Sequence, residues 1–123
     1  MNIKDLGKGA LAMFATGSRV ICNPPVLTTD VDYIVLATTK GALVAKLVSN
    51  QGWLPSSGDP NYGGDFISLV KGNVNLIITD NPTFYEASHY AHKLAKRLNL
   101  LNKQDRIDLF ELARYGSFDD LTN

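Results

Sequence analysis

The chain has 123 residues, a length that suits one domain spanning residues 1–123 around a single hydrophobic core. Hydrophobic residues make up 45% of the sequence and charged residues 20%, a balance that excludes the disordered and fibrous classes. Lysine and arginine together number 12, as do aspartate and glutamate, so no basic excess indicates tight binding to a nucleic-acid backbone.

Cys22 is the only cysteine, which excludes an intrachain disulfide and a cysteine-rich zinc site and favours a reducing compartment. The first 18 residues lack a long apolar segment behind a basic start. No apolar run approaches the roughly 18 residues that a membrane-spanning helix needs. We therefore expect a cytoplasmic protein that does not enter a membrane.

Hydrophobic periodicity and turn residues predict eight elements in chain order. They are a helix over 2–8, strands over 10–16 and 32–37, a helix over 40–50, a hairpin of strands over 66–70 and 74–79, a helix ending near 98, and a helix over 103–114. Residues 19–29 are predicted to form a loop, because Pro24 and Pro25 prevent a continuous helix. Thr83 and Glu86 match a capping box at the start of the penultimate helix. This order predicts an α/β (α+β) fold, with a small mixed β-sheet of about four strands and helices mainly on one face.

Two acidic residues, Asp30 and Asp32, stand one residue apart where the second strand begins. Residues i and i+2 of a strand point to the same face about 7 Å apart, so both carboxylates face one direction. Side by side, two carboxylates repel each other and cost stability. A bound Mg²⁺ or Mn²⁺ would remove that cost, since such ions take one or two carboxylates together with substrate phosphates. The alternative is a solvated acidic pair at a strand entrance.

A second polar group precedes the acidic pair. Gly17 lets the backbone approach a phosphate closely, Ser18 offers a hydroxyl donor, and Arg19 offers a planar cation that suits phosphate oxygens. Lys71, at the turn of the hairpin, is a further candidate for phosphate contact. For the Gly-Ser pair the alternative is an ordinary turn, and for Lys71 it is a solvated side chain.

The stretch FATGSRVICNPPVLTTDVDYIVLA (14–37) resembles the signature of the DNA polymerase β-like nucleotidyltransferase superfamily. That signature is a hydrophobic strand, Gly-Ser, a spacer, and Asp-hydrophobic-Asp-hydrophobic. The small size is similar to minimal bacterial and phage-encoded members. The resemblance implies Mg²⁺-dependent transfer of a nucleoside monophosphate from an NTP to a hydroxyl, with release of pyrophosphate. It also implies that Gly17 and Ser18 hold the triphosphate, while Asp30 and Asp32 bind the metal.

Members of this superfamily carry a third carboxylate on a later strand, and here the matching position is Asn75, in NVNLIIT (73–79). Asparagine can offer its carbonyl oxygen to a metal, but it is neutral and cannot act as a general base. Asn75 is therefore the candidate for the third catalytic position. Asp65 and Asp80 are the acids that could replace it, although for Asp80 a helix-N-terminal role is favoured.

Two main hypotheses of function follow, beside a third, RNA binding without catalysis, which the C-terminal basic residues support weakly and the zero net charge opposes. One is a nucleotidyltransferase whose acceptor is an RNA, a protein or a small molecule. The other is a catalytically weakened module that keeps the fold and acts by binding a protein partner, and a homo-oligomer is compatible with both. His89 and His92 lie three residues apart on a predicted helix, where surface histidines are favoured over metal ligands.

Overall fold

A computed structural model describes residues 1–27, 30–56 and 64–116. Within these residues, five strands form one open sheet in the order β1-β2-β5-β4-β3. The strands are β1 (Ala10–Thr16), β2 (Val31–Ala37), β3 (Leu54–Pro55), β4 (Ile67–Lys71) and β5 (Val74–Thr79). The α-helices are α1 (Ser18–Ile21), α2 (Lys40–Gln51), α3 (Pro82–Arg97) and α4 (Lys103–Tyr115), and a 3₁₀ helix covers Ile3–Leu6. None of the helices in the described residues is both long enough and apolar enough to span a bilayer.

The mixed sheet explains how distant parts of the chain meet. β2 runs antiparallel to β1 and parallel to β5, while β4 and β5 form the predicted antiparallel hairpin. At the entrance to β2, the backbone N–H of Val31 donates to the carbonyl oxygen of Asn73 (2.8 Å). This bond aligns the start of β2 with the start of β5, so the residues around Asp30 lie beside those around Asn75.

The core lies between α2 and one face of the sheet. Alternation along the strands directs apolar side chains to this face. Leu47 of α2, Val35 of β2 and Leu76 of β5 are fully buried there, together with Trp53. Burying a large aliphatic side chain stabilises the fold by roughly 1.5–3 kcal/mol relative to exposure, so this face carries much of the folding free energy.

The other three α-helices lie on the opposite face of the sheet. There the Phe14 ring of β1 packs against His89 and His92 of α3, with ring centroids 4.6 and 5.2 Å away. α4 packs on α3, and α1 follows directly from β1. The predicted α/β (α+β) class, with helices mainly on one face, is therefore confirmed.

Four details differ from the sequence prediction. The sheet gains a fifth strand, because the two residues of β3 pair with β4. One helical turn, α1, occupies Ser18–Ile21 inside the predicted loop and ends before Pro24. The first helix is shorter than predicted and of the 3₁₀ type. The cap of α3 is Asn81, whose side chain accepts hydrogen bonds from the N–H groups of Thr83 and Phe84, so the capping box at Thr83 and Glu86 was wrong.

Candidate functional site

Three polar side chains form a row across the sheet. Thr16 of β1 pairs with Asp32 of β2, and Asp32 pairs with Asn75 of β5. Paired residues of neighbouring strands point to the same face, which here is the face covered by α3 and α4. The structure thus brings together residues that are 16 and 43 positions apart in the sequence, and it places Asn75 beside the acidic pair.

Asn75 bridges the two carboxylates. Its Nδ2 donates to Asp32 Oδ1 (3.0 Å) and to Asp30 Oδ2 (3.2 Å). Carboxylate oxygens only accept, so the NH₂ side of the amide has to face them. Two charge-assisted hydrogen bonds offset part of the repulsion between the acids. Asn75 therefore offsets part of the cost of the acidic pair within the protein itself.

The environment of Asp32 disfavours its charged form. Burial raises the pKa of the Asp32 carboxyl, and the charge of Asp30 raises it further. The hydrogen bond from Asn75 and the positive charge of Lys103 lower that pKa in part. A carboxylate that is destabilised in this way gains from any added cation.

The side chain of Asp32 leaves room only for glycine at position 17. Gly17 has φ +83° and ψ −176°, a conformation reached almost only by glycine. A Cβ built on Gly17 would overlap Oδ2 of Asp32 and lie 3.1 Å from its Cγ. Only glycine therefore lets the turn between β1 and α1 close over this carboxylate. The sequence motif joining Gly17 to the acidic pair has a direct steric cause.

A cleft of about 710 Å³ lies between this face of the sheet and α4. The volume is within the range of small-molecule sites. Its polar end is lined by Gly17, Ser18, Asp30, Asp32, Asn75 and Lys103. Further along, the apolar side chains of Ile34, Ile77 and Phe110 line it together with the charged side chains of Glu111 and Arg114.

Two predicted phosphate contacts lie elsewhere. Arg19 uses Nη2 to donate to the carbonyl oxygen of Leu27 (2.7 Å), which ties α1 to the chain that follows it. Lys71 lies 5.8 Å from the centre of the Trp53 ring, on the α2 face of the sheet. Of the four residues predicted to contact phosphate, all within the described part of the chain, Gly17 and Ser18 line the cleft, whereas Arg19 and Lys71 do not.

Neither of the acids considered as substitutes for Asn75 is near the pair. The Asp65 carboxylate accepts from the Tyr115 hydroxyl (3.0 Å), and its backbone oxygen accepts from Thr79, at the opposite end of β5. Thr79 follows Asn75 by four positions along the strand, a distance of about 13 Å. Asp80 accepts from the backbone N–H of Lys40 (2.9 Å) at the start of α2. Its helix-N-terminal role is therefore at α2 rather than at the helix that follows it.

The α4 wall of the cleft was not foreseen from the sequence. Arg114 fixes this helix against α3, since its Nε donates to Ser88 Oγ (2.8 Å) and its guanidinium lies 4.3 Å from the centre of the Phe84 ring. Arg106 donates to the carbonyl oxygens of Leu100 (2.9 Å) and Leu101 (2.8 Å), which fixes the turn before α4. The signal in the sequence was the spacing of apolar residues along 103–114, which indicates a helix face turned toward the protein.

The predicted surface position of His92 was also wrong. His92 is buried, with 8% of its surface exposed, and its Nδ1 lies 3.0 Å from Oγ1 of Thr16, beside the row of polar residues. Burial lowers the pKa of His92, and the neighbouring charges of His89, Lys96 and Lys93 lower it further. His92 is thus a structural support behind the site rather than a surface residue.

The donor set at the polar end suits one type of metal ion. Within residues 1–27, 30–56 and 64–116, no three His, Cys, Asp or Glu side chains converge as metal ligands. Asp30 and Asp32 supply two carboxylates, and Asn75 adds a carbonyl oxygen if its amide turns. Mg²⁺ and Mn²⁺ fit this set, because they accept one or two carboxylates and complete their shell with water and phosphate oxygens.

Comparison with known proteins gives no further assignment of this site. No protein-family model, curated protein sequence or solved structure shows a significant match to the chain.

Proposed function

We propose that the protein is a nucleotidyltransferase that uses Mg²⁺ or Mn²⁺ to move a nucleoside monophosphate from an NTP to a hydroxyl acceptor, releasing pyrophosphate. The observation that carries the proposal is the convergence of Asp30, Asp32 and Asn75 at the end of a cleft that also contains the Gly17–Ser18 turn. Solvated acids at a strand entrance would not require a glycine fitted against one of them.

Each residue at the polar end has a role in this proposal. Asp30 and Asp32 hold the cation, which neutralises phosphate charge and activates the attacking hydroxyl when bound. Gly17 and Ser18 contact the triphosphate, and the Lys103 ammonium adds positive charge at the same end of the cleft. Since asparagine cannot accept a proton, the proton of the acceptor hydroxyl must pass to a carboxylate or to water.

One observation favours a second candidate, a module that has lost the chemistry and binds a protein partner. In the nucleotidyltransferase pattern the third position is a carboxylate, whereas Asn75 is neutral and uses its NH₂ group to link the two acids. The amide already does part of what a cation would do. The module therefore differs from the enzyme in its need for metal, and that difference can be measured.

The test is thermal unfolding with Mg²⁺ and each NTP in turn. A ligand present at 100 times its Kd stabilises the folded state by about 2.7 kcal/mol, which raises the Tm of a domain this size by several degrees. We expect that rise in the wild type and in the control Asp108→Asn, which makes the same change at a partly exposed position on α4 outside the cleft. We expect none in Asp32→Asn. A matching assay of pyrophosphate release should follow the same order.

Loss of the ligand response in Asp32→Asn will not reflect unfolding. Because the pKa of Asp32 is raised in the folded state, its contribution to stability is complete below the ordinary value of 3.8 and is lost as pH rises through the folded value. At pH 7 the ionised group costs stability. Without ligand, the free energy of unfolding of the variant should therefore equal that of the wild type or exceed it by less than about 1 kcal/mol, since water screens the half-exposed group.

Asn75→Asp separates the two candidates in the same experiment. A third carboxylate should lower stability without metal and increase the gain from Mg²⁺. The enzyme predicts that Mg²⁺ and an NTP stabilise the wild type as well. A response confined to Asn75→Asp would contradict the enzyme and support the module.

The remaining features of the function are predictions without a structural counterpart. The acceptor is an RNA, a protein or a small molecule, and a protein partner or a second copy of the chain is compatible with either candidate. The cytoplasmic location rests on the single cysteine, Cys22.

A further inference from the structure

The cleft has two ends of different chemistry, and the strands define their direction. Ile34 follows Asp32 by two residues on β2, and Ile77 follows Asn75 by two residues on β5. Each isoleucine therefore lies on the same face as its polar neighbour, about 7 Å further along the strand. The floor of the cleft changes from acidic to apolar over that distance.

The opposite wall, α4, runs in the same direction. Its first residue, Lys103, lines the polar end, where its charge acts on Asp32. The hydroxyl of its last residue, Tyr115, donates a hydrogen bond to the carboxylate of Asp65, near the far end of β5. Glu111 lies eight residues after Lys103, so the two side chains begin about 12 Å apart along the helix.

The apolar end suits the flat faces of a nucleobase. Ile77 is the partly exposed part of the floor there, next to the fully buried Ile34, and Phe110 contributes an aromatic ring from α4. That ring is held in place, since the Arg114 guanidinium lies 5.1 Å from its centre. A nucleotide with its phosphates near Lys103 would extend toward these side chains.

Two charged side chains, Arg114 and Glu111, line this end of the cleft. Arg114 is engaged by Ser88 Oγ and by the rings of Phe84 and Phe110, so Glu111 is the residue that we expect to distinguish one base from another. A carboxylate beside the triphosphate would repel it, but Glu111 is two helical turns away from Lys103. An ionised carboxylate only accepts hydrogen bonds, so it is complementary to an amino group. Adenine, guanine and cytosine carry an exocyclic amino group, whereas uracil carries carbonyl oxygens in its place.

We propose that the end of the cleft formed by Ile34, Ile77, Phe110 and Glu111 binds the base of the nucleotide, and that Glu111 selects bases with an exocyclic amino group over uracil. This inference rests on the proposed function, because it assumes that the triphosphate occupies the polar end.

The test measures binding of ATP, GTP, CTP, UTP and inorganic tripolyphosphate, each with Mg²⁺. In the wild type, the three amino-bearing nucleotides should bind roughly ten to a hundred times more tightly than UTP, the range for a hydrogen bond to a charged group. Glu111→Ala should remove this preference and leave tripolyphosphate binding unchanged. Glu86→Ala, the same change at an exposed position on α3 outside the cleft, should retain the preference.

The outcomes separate this inference from the function beneath it. Equal binding of all four NTPs, or a preference that survives Glu111→Ala, would overturn the role of Glu111 while leaving the nucleotide site in place. NTPs that bind no more tightly than tripolyphosphate would overturn the base site as a whole. If neither NTPs nor tripolyphosphate bind the wild type, the proposed function fails and the inference fails with it.

Discussion

The two faces of the sheet are built from the same strands and have opposite characters. On the α2 face, Val35 and Leu76 are fully buried among other apolar side chains. On the α4 face, Asp32, Asn75 and Thr16 lie in a row beside an open cleft. Alternate residues of one strand thus differ in what they do. Those on the α2 face stabilise the fold, and those on the α4 face lie beside the cleft.

The difference shows where stability has not been maximised. The α2 face satisfies every requirement of a core, since its large side chains are apolar and enclosed. The α4 face holds two acids close together, one of them with a raised pKa, and a buried histidine behind them. Departures of this kind concentrate at functional sites, where a stability cost is retained for another reason. The contrast is the physical basis for placing the function on the α4 face.

The largest effect on stability should come from alanine substitutions at two neighbouring residues of β5 whose side chains point to opposite faces of the sheet. Leu76→Ala removes a side chain with 0% exposure from the core and should cost about 2–5 kcal/mol of unfolding free energy. Ile77→Ala affects a partly exposed side chain in the cleft and should cost less, about 1–2 kcal/mol. Chemical denaturation measures both values.

Nucleotide binding should show the reverse order. Ile77→Ala should weaken the binding of an NTP with Mg²⁺, whereas Leu76→Ala should leave the Kd unchanged at temperatures where it is folded. Equal losses of stability at the two positions would mean that the faces do not differ as described. Equal losses of affinity would mean that the cleft does not contact the ligand.

The next effect is a difference in stability between two matched glycine variants, one of them in the turn that closes over Asp32. Gly17 and Gly7 share nearly the same backbone conformation, with φ and ψ of +83° and −176° against +80° and −166°. Alanine at either position costs about 1–3 kcal/mol of backbone strain. At Gly17 the new methyl group also overlaps Asp32, which should add roughly 1–3 kcal/mol. At Gly7 it would meet Lys46 Nζ at an ordinary 3.5 Å.

The pair of variants isolates the contact with Asp32, because the strain is common to both. We expect Gly17→Ala to be the less stable protein in denaturant unfolding and the only one of the two to lose the response to Mg²⁺ and an NTP. Equal stability of the two variants would contradict the claim that the carboxylate requires a glycine beside it.

The residues of the site that could be predicted from sequence are those tied together by local pattern. The spacing of Asp30 and Asp32 fixes their common face, and the resemblance to a known signature points to Asn75, which the structure brings beside them. Strand alternation also accounts for the position of Lys71. Lys71 follows the buried Leu69 by two residues, so it had to lie on the α2 face.

The rest depends on packing between elements, which no local pattern specifies. The apolar spacing in α4 predicts a helix with a buried side, but not that this side covers the row of Asp32 and Asn75. Likewise, His92 lies among lysines in the sequence, which favours a surface position. Only the approach of α3 to β1 places it against Thr16.

The smallest predicted effect concerns the pH dependence of stability on the α4 face. Burial and nearby positive charges keep the pKa of His92 below its ordinary value of 6.5, and the pKa of His89 is lowered for the same reasons. Below pH 6.5 the unfolded chain takes up protons that the folded protein resists, so stability should fall as pH decreases from 7 toward the folded pKa. One proton changes the unfolding free energy by at most about 1.4 kcal/mol per pH unit.

His92→Asn keeps a polar atom near Oγ1 of Thr16 and removes the titrating ring. Denaturant unfolding between pH 7.5 and 5.5 should therefore show a flatter pH dependence in His92→Asn than in the wild type. His89→Asn is the matched control, because His89 is the only other histidine and is less buried. If His89→Asn flattened the profile more, the loss of stability at low pH would arise mainly from protonation of His89. The buried His92 beside Thr16 would then not be the main cause of the pH dependence.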